Sequence, residues 1–326
     1  MKKRYIGGAC IVVTAGLYLL NASWLAPAPA GHPILLAHRG AYQRYDRTGL
    51  TNDTCTAARI YKPSNALLEN TLPSMKAAVS DGADVVEIDV HPTRDGQFVV
   101  FHDWTLDCRT DGHGVTRDHT LAELKALDIG YGYTADEGKT FPFRGQFKGQ
   151  MPALKEVLAT FPTTRFLVNF KSNDAHEADL LYAYLGADSP YWANISAYGG
   201  DRPVARLAEL APRVPTFSKT TLKRCALPYM ALGWTGYMPR ACRGATLLLP
   251  QNYTWLAWGY PNRLQQRFAA AGSYIYLLGA QKGSAGLQGI DTSQDLAKVP
   301  ASWRMGILTD EIETVGPLVK TPAATK

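Results

Sequence analysis

The sequence has no Gly/Ser-rich or Pro-rich linker after residue 31, no internal repeat and no low-complexity run. A chain of 326 residues without such a break, and with 46% hydrophobic content, is typical of a single domain, and α/β barrels often reach this size undivided. The chain also lacks a strongly basic balance, because its formal net charge is only +6. We therefore expect no nucleic-acid-binding surface.

The first apolar segment, residues 5–26, contains no charge and follows Lys2, Lys3 and Arg4. About 20 apolar residues suffice to span a bilayer, and the three basic residues would keep the N-terminus in the cytoplasm. We expect residues 1–30 to form an uncleaved membrane anchor that holds the domain 31–326 outside the cytoplasm. A cleaved signal peptide ending near Ala28–Ala30 is the alternative, and it would leave a periplasmic or secreted domain.

Cysteine is scarce. Cys10 lies in the apolar segment, and the other four do not have the spacing of a zinc site. Four cysteines allow three pairings. In an oxidising compartment we expect local pairing, Cys55 with Cys108 and Cys225 with Cys242, and unpaired buried thiols are the alternative.

Short apolar runs alternate along the chain with amphipathic helical patterns. The runs that predict strands are Ile34–Ala37, Val85–Val90, Phe98–Phe101, Arg165–Phe170, Asn194–Ala197, Val214–Phe217, Thr246–Leu249, Tyr274–Leu278 and Met305–Leu308. The patterns that predict helices are Leu72–Ser80, Leu121–Leu127, Leu154–Thr160, Val204–Leu210 and Arg263–Ala271. This alternation predicts an α/β fold with a parallel sheet, and at this length a (β/α)8 TIM barrel. One of the nine candidate strands must lie outside the barrel, and we expect it to be Thr246–Leu249.

Polar residues follow several predicted strands at the point where each strand ends, which in a barrel is the functional face. They are His38 and Arg39 after the first, Glu87 and Asp89 on one face of the second, His102 and Asp103 after the third, Asn169 and Lys171 near the end of the fourth, and Thr309 and Asp310 after the last. A lone histidine at a strand end is more often structural, and two acids at this spacing usually face solvent. Here the acids interrupt an apolar run, where burial is costly without a cation or hydrogen-bond partners. The convergence of four polar strand ends therefore favours a functional site.

Seven sequence blocks carry a family resemblance. They are "AHRG", "ENTLPSM", "GADVVEIDVHPTRDG", "VVFHDWTLDCRTDGHG", "LAELKALDIG", "MPALKEVL" and "GILTDEIETV". In this order they resemble the signature of the glycerophosphodiester phosphodiesterase family. The similarity is dense over residues 34–171, thin over 172–300, and returns at the last predicted strand.

The resemblance implies a metal-dependent barrel that hydrolyses a phosphodiester such as glycerophosphocholine to glycerol 3-phosphate and an alcohol. By motif match, His38 and His102 would be the acid–base pair, and Glu87 and Asp89 would be metal ligands. Two cationic residues would contact the phosphate, Arg39 and Lys171.

The residue types suit this chemistry on their own terms. A general acid must protonate the leaving alkoxide while a base activates the nucleophile, and imidazole serves either role near neutral pH. One hard cation, Mg²⁺ or Ca²⁺, would neutralise a phosphoryl oxygen, and Arg39 and Lys171 would stabilise charge on the others. Glu69 would support His38 or Arg39 or join the metal shell, with a plain salt bridge as the alternative.

Three features depart from the family pattern. The family has Glu as a third metal ligand where this chain has Asn169, so we expect weaker cation binding or more water ligands. About 28 residues separate Gly40 from Glu69, an insert that a Cys55–Cys108 disulfide would tie over the barrel mouth, where it could narrow substrate choice. Aromatic residues in the poorly matching part would line a pocket for a choline-like cation or an acyl chain, or simply pack: Trp234, Trp255, Trp258 and Tyr260.

Three functions compete at this point. The leading hypothesis is hydrolysis of small glycerophosphodiesters outside the cytoplasm. The second is a lysophospholipase D or sphingomyelinase D type of cleavage, because a membrane anchor would bring the barrel mouth near lipids. The third is an inactive barrel that only binds anionic lipid or a protein, which Asn169 favours and the retained histidines and acids disfavour.

Overall fold

The computed structural model describes residues 14–51, 54–281 and 286–320. At its centre, strands of one sheet curve around a common axis. They are β1 (Ile34–Ala37), β2 (Val85–Pro92), β3 (Phe98–Val100), β4 (Arg165–Phe170), β5 (Ile195–Gly199), β6 (Thr216–Ser218), β7 (Thr246–Pro250), β8 (Tyr274–Leu278) and β9 (Gly306–Thr309).

Eight of these strands form a parallel barrel in the order β6-β5-β4-β2-β1-β9-β8-β7. The two end strands, β6 and β7, lie in contact across the seam, so the barrel is nearly closed. The predicted TIM barrel is confirmed. All eight carboxyl ends therefore meet at one face, as the fold requires.

The ninth strand, β3, corrects the prediction. Val90 pairs with Val100 in an antiparallel ladder, so β3 is the return strand of a hairpin that follows β2. Five residues, 93–97, separate the two strands, whereas a parallel crossover needs a dozen or more. The suspicion about Thr246–Leu249 was wrong, since this run forms the barrel strand β7.

Helices surround the barrel: α1 (Leu72–Ser80), α2 (Leu121–Lys125), α3 (Leu154–Thr160), α4 (His176–Leu185), α5 (Asp201–Leu210), α6 (Lys219–Leu232), α7 (Asn262–Ala270), α8 (Ser293–Leu296) and α9 (Ile312–Lys320). The predicted bounds of α1 and α3 are confirmed. The sequence analysis did not predict α4, α6, α8 and α9, of which α6 and α9 contain Pro228 and Pro317. Proline usually ends a helix, and here both helices continue past it.

The alternation of β2 explains how a polar site sits inside an apolar fold. Val86, Ile88 and Val90 point outward and join the core between sheet and helices. Val85 points inward with the apolar layer of the barrel interior. Because strand side chains repeat every two residues, Glu87 and Asp89 must also point inward, above that layer. Both are buried.

The structure joins Cys55 to Cys108 and Cys225 to Cys242, the pairing expected from the sequence. The first bridge ties the insert between β1 and α1 to the segment that follows β3.

The predicted anchor at residues 1–30 falls partly outside the described residues, because the description starts at Thr14. Residues 14–21 are helical and Ser23–Leu25 form a 3₁₀ turn. Among the residues described, no helix combines the length and apolar character needed to cross a bilayer.

Candidate active site

A pocket of about 540 Å³ opens at the carboxyl face of the barrel. Five of the residues predicted from the sequence line it: His38, Arg39, His102, Asn169 and Lys171. The other three predicted residues, Glu69, Glu87 and Asp89, are buried and bonded to members of this lining. The structure thus brings together all eight.

His38 follows β1 and is held by the neighbouring strand β9. Its Nδ1 lies 2.5 Å from Oδ1 of Asp310, and its Nε2 lies 3.9 Å from Oε2 of Glu87. Burial and the nearby Arg39 lower the pKa of His38, but the Asp310 and Glu87 carboxylates outweigh them, so the net pKa is raised above its usual value of 6.5. The surroundings of His38 therefore favour its protonated form.

Two side chains also donate hydrogen bonds to Asp310. The hydroxyl of Tyr42 donates to Oδ1 at 2.8 Å, and Nη1 of Arg47 donates to Oδ2 at 2.6 Å. Both residues belong to the insert after Gly40. This segment therefore takes part in orienting His38.

His102 reaches the pocket from the end of the β2–β3 hairpin rather than from a barrel strand. Its Nδ1 lies 2.6 Å from Oδ1 of Asp103. Burial lowers the pKa of His102 to about 4, and the charges of Arg39 and Lys171 add to this effect. His102 is therefore neutral near pH 7, so the two histidines have pKa values displaced in opposite directions.

Asp89, at the end of β2, accepts hydrogen bonds on both oxygens. Asn70 Nδ2 donates to Oδ2 at 2.9 Å, while Asn169 Nδ2 and Lys171 Nζ approach Oδ1 at 2.9 and 3.1 Å. Burial raises the pKa of Asp89, but the charge of Lys171 and several other nearby groups outweigh this effect. They hold the pKa of Asp89 well below its usual value. Asp89 is thus a permanent buried anion.

Glu87 differs from its neighbour. Its Oε1 accepts a hydrogen bond of 2.7 Å from the hydroxyl of Tyr198, on β5. Burial raises the pKa of Glu87 to about 7, and the charge of Asp89 adds to the rise. A cation bound next to Glu87 would stabilise the ionised form of this buried carboxyl group.

Glu87, Asp89 and Asn169 offer the oxygen atoms that a hard divalent cation prefers. Because one of the three is an amide, they carry less negative charge than three acids would. Glu87 and Asp89 share the inner face of β2, and Asn169 pairs with Asp89 in the β2–β4 register. Within residues 14–51, 54–281 and 286–320, no group of three or more His, Cys, Asp or Glu is arranged to hold a metal. The third residue of the set, Asn169, is an amide and not an acid. Its side-chain nitrogen donates to Asp89.

Glu69 joins two arginines beside the site. Its Oε1 lies 3.0 Å from Nη1 of Arg39 and its Oε2 lies 3.1 Å from Nη1 of Arg109. Arg109 also binds Asp103 through Nε at 2.8 Å, which connects this network to His102. Of the roles weighed for Glu69, the geometry favours support of Arg39 through a salt bridge.

The backbone conformation after β1 explains why the motif "AHRG" contains a glycine. Arg39 and Asn70 adopt φ of 60° each, a left-handed conformation that non-glycine residues rarely take. Gly40 has φ of 85°, and a Cβ there would collide with the hydroxyl of Ser74. Only glycine fits at position 40, because both the backbone conformation and the space require it.

Several residues of the site were not among those predicted. Asp103, Asp310, Arg109, Tyr198 and Asn70 all contact predicted site residues. Asp103 and Asp310 stand at strand ends in the sequence, a signal that could have included them. Tyr198 also follows a predicted strand, Asn194–Ala197, whereas Arg109 carried no such signal because its contacts exist only in the folded chain.

The aromatic residues of the poorly matching part lie elsewhere. Trp234, Trp255, Trp258 and Tyr260 line a separate surface groove together with residues 14–22. They do not line the candidate site. Ordinary packing does not describe Trp255 either, since 77% of it is exposed.

Comparison with known proteins agrees with this geometry. Residues 38–192 match the model of the glycerophosphoryl diester phosphodiesterase family. A glycerophosphodiester phosphodiesterase of Caldanaerobacter subterraneus subsp. tengcongensis is 40% identical over 104 residues, which cover 32% of this chain and 39% of that relative. One from Bacillus subtilis is 31% identical over 168 residues, covering 48% and 57%. The chain therefore spans less than two thirds of the length of either relative.

A solved structure shares the fold over most of its length. The phosphodiesterase of Oleispira antarctica in complex with the product sn-glycerol 3-phosphate superposes with a TM-score of 0.55 at 19% identity, covering 89% of this chain and 98% of that one. The family match starts at His38 and contains the other predicted site residues through Lys171. Residues 38–192, just under half of the chain, are thus similar to the glycerophosphoryl diester phosphodiesterase family.

Proposed function

We propose that this protein is a metal-dependent phosphoric diester hydrolase that cleaves glycerophosphodiesters to glycerol 3-phosphate and an alcohol. The observation that carries the proposal is the pair of histidines at one pocket, each bound through Nδ1 to an aspartate. Their pKa values are displaced in opposite directions. Such a displacement separates an acid from a base at one pH.

His38 is the proposed general acid and His102 the proposed general base. His102 takes the proton of an attacking water as its oxygen bonds to phosphorus; if a hydroxyl of the substrate attacks instead, a cyclic phosphate forms, and water then opens it to glycerol 3-phosphate. The bond from phosphorus to the leaving oxygen breaks, and His38 gives that oxygen a proton. Proton exchange with solvent then restores both side chains. Asp310 and Asp103 hold the two rings, so that Nε2 of each is the atom left for transfer.

Arg39 and Lys171 are the proposed phosphate contacts. Both line the pocket, and both are held by buried acids, Arg39 by Glu69 at 3.0 Å and Lys171 by Asp89 at 3.1 Å. A cation fixed in this way meets an anionic phosphodiester without further ordering.

One divalent cation, Mg²⁺ or Ca²⁺, would be held by Glu87, Asp89 and Asn169. When bound it would neutralise charge on a phosphoryl oxygen. Asn169 supplies an oxygen without charge, so the proposed site binds its cation more weakly than a site of three acids.

Residues 1–30 are the proposed membrane anchor, and the catalytic domain is proposed to lie outside the cytoplasm. The support comes from the uncharged segment at residues 5–26. The two disulfides also favour an oxidising compartment.

The test uses the full-length protein, treated with chelator and assayed on glycerophosphocholine with Mg²⁺ or Ca²⁺ restored. We expect metal-dependent release of glycerol 3-phosphate and choline in equal amounts. Choline released from lysophosphatidylcholine alone would instead identify a lysophospholipase D. Inactivity on both substrates with both cations would contradict hydrolysis and favour a barrel that only binds.

A further inference from the structure

Charge is distributed unevenly along the chain. Residues 210–290 contain nine Lys and Arg and no Asp or Glu, so the rest of the chain has a net charge of −3. This stretch includes α6, β7, α7 and β8. One side of the barrel wall is therefore built from a segment without a single acidic residue.

The same segment exposes large aromatic side chains. Trp255 is 77% exposed, Trp258 41% and Trp234 38%, and Tyr18 beside them is 65% exposed. These four residues line a groove of about 760 Å³, and we call them the aromatic face. Monomeric proteins rarely leave such a group of large apolar side chains in water.

The uncharged N-terminal segment is fastened at this face. Asn21 Nδ2 donates to the carbonyl of Trp234 at 2.5 Å, and Arg267 Nη1 donates to Asn21 Oδ1 at 3.1 Å. The backbone nitrogen of Asn262 donates to Ser23 Oγ at 2.7 Å. Residues 5–13, which precede the described helix, continue the uncharged sequence from this point.

Helix α6 adds basic groups next to the aromatic face. Lys223, Arg224 and Leu227 are exposed and lie at helical spacings of three and four residues, so they share one side of the helix. The helix ends at Leu232, two residues before Trp234. Basic side chains thus lead along α6 to the aromatic face.

We propose that the aromatic face rests in the headgroup region of a bilayer that contains anionic lipid. Trp and Tyr concentrate at this depth because their rings are apolar and their N–H and O–H groups can remain hydrated. Basic residues near the surface are attracted to anionic lipid. Residues 210–290 themselves contain no acid that would oppose this contact, and Asp201, from α5, is the acid that lies near Arg224. The proposal concerns the surface of the barrel and does not depend on the proposed hydrolysis.

This contact would bring the catalytic pocket close to the bilayer. The loop that carries Trp255 follows the carboxyl end of β7, on the same side of the barrel as the pocket. Asn252 in this loop exchanges two hydrogen bonds with Gln281, of 3.1 and 3.0 Å. Gln281 in turn donates to the carbonyl of Gln288, next to Leu287 in the pocket lining.

The test measures tryptophan fluorescence of the full-length protein in phosphatidylcholine vesicles, with and without phosphatidylglycerol. Lipids brominated near the headgroup quench only tryptophans in contact with the bilayer. Trp24, Trp234, Trp255 and Trp258 are four of the seven tryptophans, and all four are exposed in this region. We expect the double variant Trp255→Phe, Trp258→Phe to lose about half of the quenchable emission. The matched control is Trp192→Phe, which should lose none.

A second comparison tests the basic residues. In phosphatidylglycerol vesicles at low salt, Lys223→Gln with Arg224→Gln should reduce quenching of the aromatic face, and high salt should have the same effect on the parent protein. The control replaces Lys76 and Lys148, which are exposed outside residues 210–290, with Gln.

Two results would overturn the proposal. One is equal quenching of the parent and the Trp255, Trp258 double variant. The other is a parent protein whose exposed tryptophans are not quenched but whose chains cross-link as pairs, because the face would then be covered by a second copy. The double variant should turn over glycerophosphocholine as fast as the parent. This assay therefore distinguishes a failure of the membrane-contact proposal from a failure of the proposed hydrolysis.

Discussion

Arg109 is the residue whose removal should damage the fold of the site most. Its side chain is 3% exposed and binds four groups: Asp103 at 2.8 Å, Glu69 at 3.1 Å, the hydroxyl of Tyr133 at 2.6 Å and Thr56 Oγ1 at 2.6 Å. Glu69 and Asp103 are themselves largely buried, with side chains 5% and 14% exposed. Arg109→Met preserves much of the volume and removes all four bonds.

The expected cost follows from the two acids left behind. Removing one partner of a buried ion pair costs about 3–5 kcal/mol, because an uncompensated charge remains. Among the described residues, Glu69 then keeps Arg39 at 3.0 Å as its ion-pair partner, while Asp103 keeps only a hydrogen bond of 2.6 Å with the neutral His102. We therefore expect the free energy of unfolding to fall by at least about 3 kcal/mol, a large part of the 5–15 kcal/mol typical of a domain.

The assay is urea unfolding of parent and variant, followed by circular dichroism. The control is Arg94→Met, because the Arg94–Glu123 pair has a similar distance of 3.1 Å but side chains 59% and 51% exposed. Exposed pairs contribute about 0–1 kcal/mol. If Arg109→Met and Arg94→Met lower the unfolding free energy by amounts within about 1 kcal/mol of each other, burial is not what gives Arg109 its importance.

Three further predictions concern the proposed activity and the covalent links. His102→Ala should reduce turnover of glycerophosphocholine by about 10²–10⁴-fold with unfolding unchanged, while His113→Ala, 86% exposed, should leave turnover intact; a loss below tenfold would remove His102 from catalysis. Asn169→Glu should tighten the cation titration of activity, since it adds a charged oxygen, and an unchanged titration would exclude this position as a ligand. Cys55→Ser should lower the unfolding free energy by about 4 kcal/mol, because the bridge to Cys108 closes a loop of 53 residues; urea unfolding with and without reductant measures it.

The sequence was informative about the candidate site because several side chains that gather at the pocket stand at the ends of barrel strands. His38 after β1 and Asn169 with Lys171 on β4 could be placed from strand ends alone, and the spacing of Glu87 and Asp89 put both acids on one face. His102 lines the same pocket, but it follows the return strand of a hairpin and not a barrel strand. The short turn at residues 93–97 identifies a hairpin, and the β2–β3 pairing shows it.

The aromatic residues show the opposite case. Trp234, Trp255 and Trp258 could be assigned from composition to a ligand pocket or to packing, and the structure places all three along a surface groove apart from the candidate site. Their environment depends on contacts with residues 14–22, more than 200 positions away in the chain. Sequence spacing carries no information about such contacts.

The sequence alone predicted the barrel class, the family resemblance and the eight residues that gather at one pocket, because periodicity and local motifs specify strands and the residues at their ends. The tertiary structure alone decided how those residues are charged. Asp310 approaches His38 across 272 positions, and Arg39 and Lys171 act on His102 through space. A pKa depends on burial and on the distance to other charges. Both quantities exist only after folding, so the assignment of one histidine as acid and the other as base required the folded protein.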